Sequence, residues 1–429
     1  MSSRVAPLSG LRGHAAVRSC WFLCFALFVR GGVSLACCDR LAADRDGYRS
    51  LAVNLVDEGV LGSGTVPSAY RPPLYPLLLA ACVAGPWPTD AAIALVHVVL
   101  GVATAWSTVA LGRRWGLDRF AYLAGTLVAC DPILVNQSTL VMTETLATFF
   151  ATAGLAFISA TSDATGRRRL WLAALTGACL AIAALCRPTF LGSLFCLALG
   201  IVWLWRGWRD DLPTLAAMCL AASLTLLPWA VRNMIDLGTP IVTTTHGGYT
   251  LLLGNNRGYY EFLRRSHTRA LWDASELDAS LRARRTDDEV ANDRREYEEA
   301  WQTIREQPVL FLYAAACRAG ALWGLLPHQV TDDETSLARW GRYATAAWYT
   351  VVFALALTAL VGSRGARATG ITVRITRPPW LWPTLLAASF TAVHLLYWTD
   401  MRMRAPLIPA ISLLAAAGAK RLAAWAGRL

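Results

Sequence analysis

The chain has 429 residues, 55% of them hydrophobic and 16% charged, with a mean hydropathy of +0.41 and a formal net charge of +11. A soluble globular domain carries about 25% charged residues, so this deficit, together with apolar runs of about 18–22 residues, excludes an ordinary soluble protein and predicts helices that cross a bilayer. The basic excess is then an orienting signal in short loops and not a nucleic-acid footprint.

Taken in order, the first apolar run spans Trp21 to Cys38 behind Arg4, Arg12 and Arg18, and reads as a retained first helix with its N-terminus in the cytoplasm. The segment 39–90 then emerges outside as a first outer loop. Within it, 72–86 is short and bracketed by Pro72-Pro73 and Pro86, so it is expected to lie along the outer leaflet without crossing. Spans follow at 91–112, 119–134, 139–160, 169–186, 190–206 and 212–230. This arrangement gathers Arg113-Arg114, Arg167-Arg168-Arg169 and the Arg206/Arg209 pair on the cytoplasmic side.

Residues 231–307 form one large outer loop, charged throughout from Arg264 to Gln307. Tyr297, Trp301 and Ile304 recur there at helical spacing, predicting a helix that packs one face on the membrane domain. The apolar segment 308–327 carries Arg318. If it crossed, the four arginines of 364–377 would fall outside, so it is read as non-crossing. Spans near 343–362, 379–398 and 404–420 return the Lys420-Arg421 tail to the cytoplasm. The sum is an all-α polytopic membrane protein with about 10–11 transmembrane helices, juxtamembrane helices and one large outer loop, the whole of 1–429 being one membrane domain.

The eleven cysteines sit almost all inside apolar runs, where they act as small hydrophobes, and no disulfide framework is visible. The informative polar residues fall on the outer side. Asp44 and Asp46 follow the first span, Glu144 lies in an apolar helix near its outer end, and Arg187 occupies an outer turn. Arg232-Asn233 cap another span, His246 and Asn255 begin the large loop, and Arg402 follows the span 379–398. Singly these have plain readings: one of the two aspartates as a cap for the helix that starts at Tyr48, Arg187 and Arg232 as interfacial anchors, His97 and His394 as core or interfacial histidines. Together they predict an outward cavity for an anionic substrate with an acid beside it, because ionisable groups at membrane depth mark substrate paths and arginine forks suit phosphate.

The ordered pieces "DRDGYRSLAVNL", "RPPLYPLLLA", "STLVMTETLA", "LCRPTF", "LPWAVRNMIDLG", "GGYTLLLGNN", "NDRREYEEAWQTIREQP" and "RMRAPLIP" resemble the membrane glycosyltransferases of the GT-C type, whose relatives include the protein O-mannosyltransferases and the lipid A aminoarabinose transferases. The resemblance runs over about residues 15–415 and implies a GT-C helical bundle. It also implies an inverting transfer of a hexose-type sugar from a polyprenyl-phosphate carrier to a hydroxyl of a protein, lipid or glycan acceptor, on the periplasmic face of a bacterial inner membrane.

The family writes its essential outer-loop acid as Asp-Glu-x-x-Tyr. Counting back from Tyr48, Asp44 takes the aspartate position and Arg45 replaces the glutamate, so Asp44 is the expected base with Asp46 in reserve. Tyr48, Arg71, Asn233 and Asn255 are expected near substrate. Arg187, Arg232 and Arg402 are the expected phosphate contacts, and Glu144 and His246 orient substrate or hold a divalent metal if one is used. The competing class is a transporter or flippase of a lipid-linked or anionic solute. It predicts repeated halves and broken midplane helices, and the sequence has no internal repeat.

Overall fold

The structure is a computed structural model describing residues 8–205, 207–265, 272–328, 334–361 and 373–427. Its helices are α1 (Leu8–Ala36), α2 (Tyr48–Glu58), α3 (Leu74–Val83), α4 (Thr89–Arg114), α5 (Phe120–Cys130), α6 (Pro132–Gln137), α7 (Glu144–Thr161), α8 (Gly166–Ala184) and α9 (Phe190–Trp203). They continue with α10 (Trp208–Leu237), α11 (Gly247–Gly254), α12 (Arg257–Arg265), α13 (Ser275–Ala283), α14 (Glu289–Glu306), α15 (Pro308–Trp323), α16 (Ser336–Val361), α17 (Leu381–Leu396) and α18 (Ile408–Ala426). A two-stranded antiparallel ribbon, β1 (Gly62–Ser63) with β2 (Val66–Pro67), is the sheet found among the described residues.

Six stretches, Ala16–Ala36, Thr89–Arg114, Glu144–Thr161, Asp211–Leu237, Ser336–Leu360 and Met401–Ala426, are long and apolar enough to cross a membrane. The protein is a multi-pass membrane protein. Several other expected spans are shorter than the ~20 residues a hydrocarbon core asks for: α5 has 11 residues, α9 has 14 and α17 has 16. The segment read as a continuous span over 119–134 is broken at Asp131. Its carboxylate accepts the N–H groups of Ile133 and Leu134, both at 3.0 Å, and Pro132 opens α6. An aspartate cap followed by proline is a helix-start signal, and here it outweighs the apolar run. The span expected from 139 begins only at Glu144, because buried residues 138–143 are non-helical. The span expected from 404 begins as a 3-10 turn, Met401–Leu407, and its helix runs on through Lys420-Arg421 to Ala426.

The bundle packs closely where the sequence is small. In α8, "LAALTGACLAIAA" faces α7 and α10. A Cβ on Gly177 would lie 2.0 Å from the Met218 carbonyl oxygen, so the α8–α10 approach requires glycine there, as expected where helices meet in lipid. Ion pairs collect the basic turns at one end: Arg114 with Asp163, Arg169 with Asp211 and Lys420 with Asp118, each at 2.6 Å. This agrees with grouping Arg113-Arg114, Arg167–Arg169 and Arg209 on one side; Arg206 and residues 364–372 lie outside the described residues. The alternation of the helices leaves the start of α7, the α8–α9 turn, the end of α17 and the start of α18 at the other end. There α2, α3 and the α11–α14 loop unit sit. Helix α3, with 10 residues, rises only ~15 Å, half a bilayer core.

Candidate active site

Of the eleven residues singled out in the sequence, seven line one cavity of about 660 Å³ at that second end: Asp46, Tyr48, Arg71, Glu144, Arg187, His246 and Arg402. Gly47, at φ +73°, turns the chain between Asp46 and α2, a left-handed step that glycine takes without strain. Asp46 then meets Arg71, whose Nε donates to the Asp46 carbonyl at 3.0 Å and whose Nη2 lies 3.4 Å from its carboxylate. The Arg71 guanidinium also lies 5.4 Å from the ring centroids of both Tyr48 and Tyr70. Pro72 and Pro73 offer no N–H. The next donor, Leu74 N–H, bonds to the Leu185 carbonyl at 3.1 Å and fastens the first loop to the end of α8, two residues before Arg187.

Glu144 is the first residue of α7 and 2% exposed, at the helix end that favours negative charge. Its Oε1 is 2.8 Å from Arg187 and 3.9 Å from Arg402. Arg402 is held in turn by Asp400 at 3.1 Å, and Arg187 also contacts the Met403 sulfur. His246 stacks on Tyr249 with centroids 5.0 Å apart and meets Tyr70 edge-on at 4.4 Å. Burial, then the Arg71 and Arg285 guanidiniums, push its pKa down to about 3, so the imidazole is neutral at pH 7. Burial pushes the Tyr48 hydroxyl up to about 12, leaving it a neutral hydrogen-bonding group.

Four of the predicted residues are not brought to the cavity. Asp44 accepts from Ser50 N–H and Ser50 Oγ–H, both at 2.9 Å, so its carboxylate caps α2 from four residues ahead of the helix. Arg232 braces the first loop by donating to the Ser68 carbonyl at 3.0 Å and the Leu61 carbonyl at 2.9 Å, and pairs with Asp236 at 2.8 Å. Asn233 donates to Ile241 O at 2.8 Å. Asn255 joins α11 to α17 by donating to Leu251 O and Leu396 O at 2.8 and 2.7 Å. All four side chains bind protein groups near the site and so hold its walls. His97 is satisfied in the core by Tyr75 Oη at 3.1 Å and Ser138 O at 2.9 Å, whereas His394 lines the cavity.

Residues 88–236 match the family described as dolichyl-phosphate-mannose-protein mannosyltransferase. This matched stretch, about a third of the chain, is similar to the membrane mannosyltransferases of that family. A search of curated proteins returns no match. Among solved structures, ArnT from Cupriavidus metallidurans in the apo state is similar at 14% identity, over 95% of this chain and 78% of that one, with a TM-score of 0.44. The same protein bound to undecaprenyl phosphate gives 14%, 95%, 78% and 0.43. An Archaeoglobus fulgidus oligosaccharyltransferase tethered with an acceptor peptide gives 13% identity over 93% of this chain and 48% of that one, with a TM-score of 0.48. These are loose likenesses.

The cavity presents three arginines against two carboxylates (Arg71, Arg187 and Arg402; Asp46 and Glu144), which suits an anionic group. Among the described residues no group of three or more His, Cys, Asp or Glu is placed to hold a metal ion, and the Glu144 carboxylate faces arginines. Sequence reasoning read Tyr297 only as part of a packing helix face and passed over Tyr70, Tyr249, Tyr397 and Trp398; all five line the same cavity, and the Tyr297 and Tyr397 hydroxyls lie 3.3 Å apart. The signal was adjacency. "AYRPP", "HGGYT" and "LLYWTDMR" each set an aromatic within five residues of a side chain already singled out.

Proposed function

We propose that this protein is a GT-C type glycosyltransferase that moves a hexose-type sugar from a polyprenyl-phosphate carrier to an acceptor hydroxyl, with inversion, on the periplasmic face of a bacterial inner membrane. The observation that carries the reading is that Asp46, Arg71, Arg187 and Arg402 line one cavity. The matched family's description, a dolichyl-phosphate-mannose donor and a protein acceptor, supports the donor class.

In this mechanism the acceptor oxygen attacks the anomeric carbon as Asp46 takes its proton. The bond from that carbon to the phosphate oxygen breaks, and polyprenyl phosphate departs carrying the electron pair. Arg187 and Arg402 face the charge that grows on the phosphate, a role fixed donors perform without reorganising. Glu144 holds these two arginines in register between α8, α9 and the Met401–Leu407 turn. Asp46 is preferred over Asp44 as base because Asp46 faces the cavity while Asp44 is engaged with Ser50. Arg71 grips both the backbone and the carboxylate of Asp46 and so aims it.

The test compares Asp46→Asn, Asp44→Asn and wild type on a panel of short polyprenyl-phosphate hexoses with membrane acceptors. A general base contributes roughly 10²–10⁴-fold. A loss of that size in Asp46→Asn, with a loss under tenfold in Asp44→Asn, is the expected result. The reverse pattern moves the base to the family's aspartate position. Wild type that turns over none of the donors sinks the reading.

A further inference from the structure

A second cavity, of about 620 Å³, opens between the 239–245 segment and one face of α14. Thr244 and Tyr297 line both it and the catalytic cavity, so the two spaces meet at those side chains. Trp301 stands one turn further along α14, 43% exposed within the groove. The i, i+4 spacing sets both aromatic rings on one helix face. Around them Arg294, Glu298 and Arg305 make no hydrogen bond or ion pair with other described residues. The groove therefore offers aromatic faces and unused planar hydrogen-bonding forks together.

We propose that this groove is the acceptor subsite and that its occupant is a neutral saccharide, whose terminal hydroxyl passes Tyr297 and Thr244 to reach Asp46. This rests on the transferase reading above and names its acceptor class as a glycan. The chemistry fits on three counts. A pyranose presents an apolar C–H face and a rim of hydroxyls, matching aromatic rings flanked by guanidinium, amide and carboxylate groups that bond hydroxyl pairs.

The charge also fits. Arg294 and Arg305 face three acids, Asp293, Glu298 and Glu306, so this groove has no positive excess to draw a phosphate, whereas the catalytic cavity has one. Finally, an extended peptide is commonly held by main-chain bonds along a free strand edge. The wall here is a helix, whose mid-helix N–H and C=O groups are already paired, and only side chains remain to read a ligand. The volume lies within the ~300–1,000 Å³ of small-molecule sites. A reacting pair needs two approaches to one carboxylate, and the meeting of the two cavities supplies the second.

The experiment is ligand-observed saturation-transfer NMR on the purified full chain in lipid nanodiscs. The probes are mannotriose, maltotriose and chitotriose, with a Ser/Thr-rich decapeptide beside them. At least one trisaccharide is expected to bind, and Trp301→Ala and Arg305→Gln each to weaken it by tenfold or more. Both side chains are surface groups, and circular dichroism confirms that the variants fold. The idea is overturned by any of three results: no trisaccharide binds, binding is unchanged in both variants, or only the decapeptide binds, which would make the groove a peptide site. Because binding is read without turnover, an inactive wild type that still binds saccharide through Trp301 would refute the transferase reading while leaving the saccharide site.

Discussion

Glu289, at the start of α14, holds two segments of the catalytic wall with one carboxylate. It accepts from Ser68 Oγ–H, from Ala69 N–H at 2.9 Å and from Thr245 Oγ1–H. Ser68-Ala69 leads directly into Tyr70-Arg71, and Thr245 precedes His246, so the latch sets both. Hydrogen bonds to charged groups are each worth ~1.5–3 kcal/mol, but neighbours are not additive and water replaces part of what is lost. We therefore expect Glu289→Ala to lower the local opening free energy of these segments by about 2–3 kcal/mol. Amide hydrogen exchange checks this at the Ala69 N–H, which should exchange about 30- to 150-fold faster, while amides in the middle of α10 are unaffected. Glu289→Gln keeps an acceptor for the Ala69 amide and should recover most of the protection. Exchange at Ala69 within twofold of wild type in Glu289→Ala would refute the reasoning.

Three other outcomes are expected. Glu144→Ala leaves the Arg187 guanidinium without its buried carboxylate partner while Arg402 keeps Asp400, a change of about 3–5 kcal/mol for a broken buried pair; a fall in thermal midpoint in nanodiscs checks it, and sugar transfer is lost with it. Gly248→Ala would set a Cβ 2.2 Å from the Asp293 carbonyl oxygen, so α11 must move from α14. That overpacking should destabilise by roughly 1–3 kcal/mol, seen as faster proteolysis of the 238–307 unit. The third concerns pH. Burial raises the Asp293 carboxyl to about 6, and burial with Asp293 beside it raises Glu296 to about 7. A raised acid binds its proton more tightly when folded, so this contribution to stability is present at low pH and falls as pH rises from about 4 through 7. Glu296→Gln should flatten that slope in a pH series of unfolding midpoints and be more stable than wild type at pH 7.5.

Much of the site was legible because each motif carries its own mechanism. Glu144 in an apolar helix and Arg187 and Arg402 beside proline-marked turns are costly at membrane depth, so a site was the economical explanation of them. The choice between Asp44 and Asp46 was not legible. Two residues apart at a turn, either could cap α2, and only the left-handed φ at Gly47 and the Ser50 contacts separate them. Arg232, Asn233 and Asn255 sit on the right side of the bundle for substrate, yet their donors close onto Leu61, Ile241 and Leu396. Leu61 and Leu396 stand 171 and 141 positions away, and Ile241 lies across the turn that ends α10, so local spacing does not show these contacts.

What the sequence by itself determined is the class of object and its polarity. Hydropathy over about 20 residues reports transfer into hydrocarbon, and arginine placement groups turns on one side, both being sums over local composition. The tertiary structure alone decided that buried residues 138–143 stay non-helical ahead of Glu144. It also decided that α14 closes over the first loop through Glu289, and that a second cavity joins the first at Tyr297. Those follow from single hydrogen bonds and close approaches between residues tens to hundreds of positions apart, which side-chain geometry selects and composition does not.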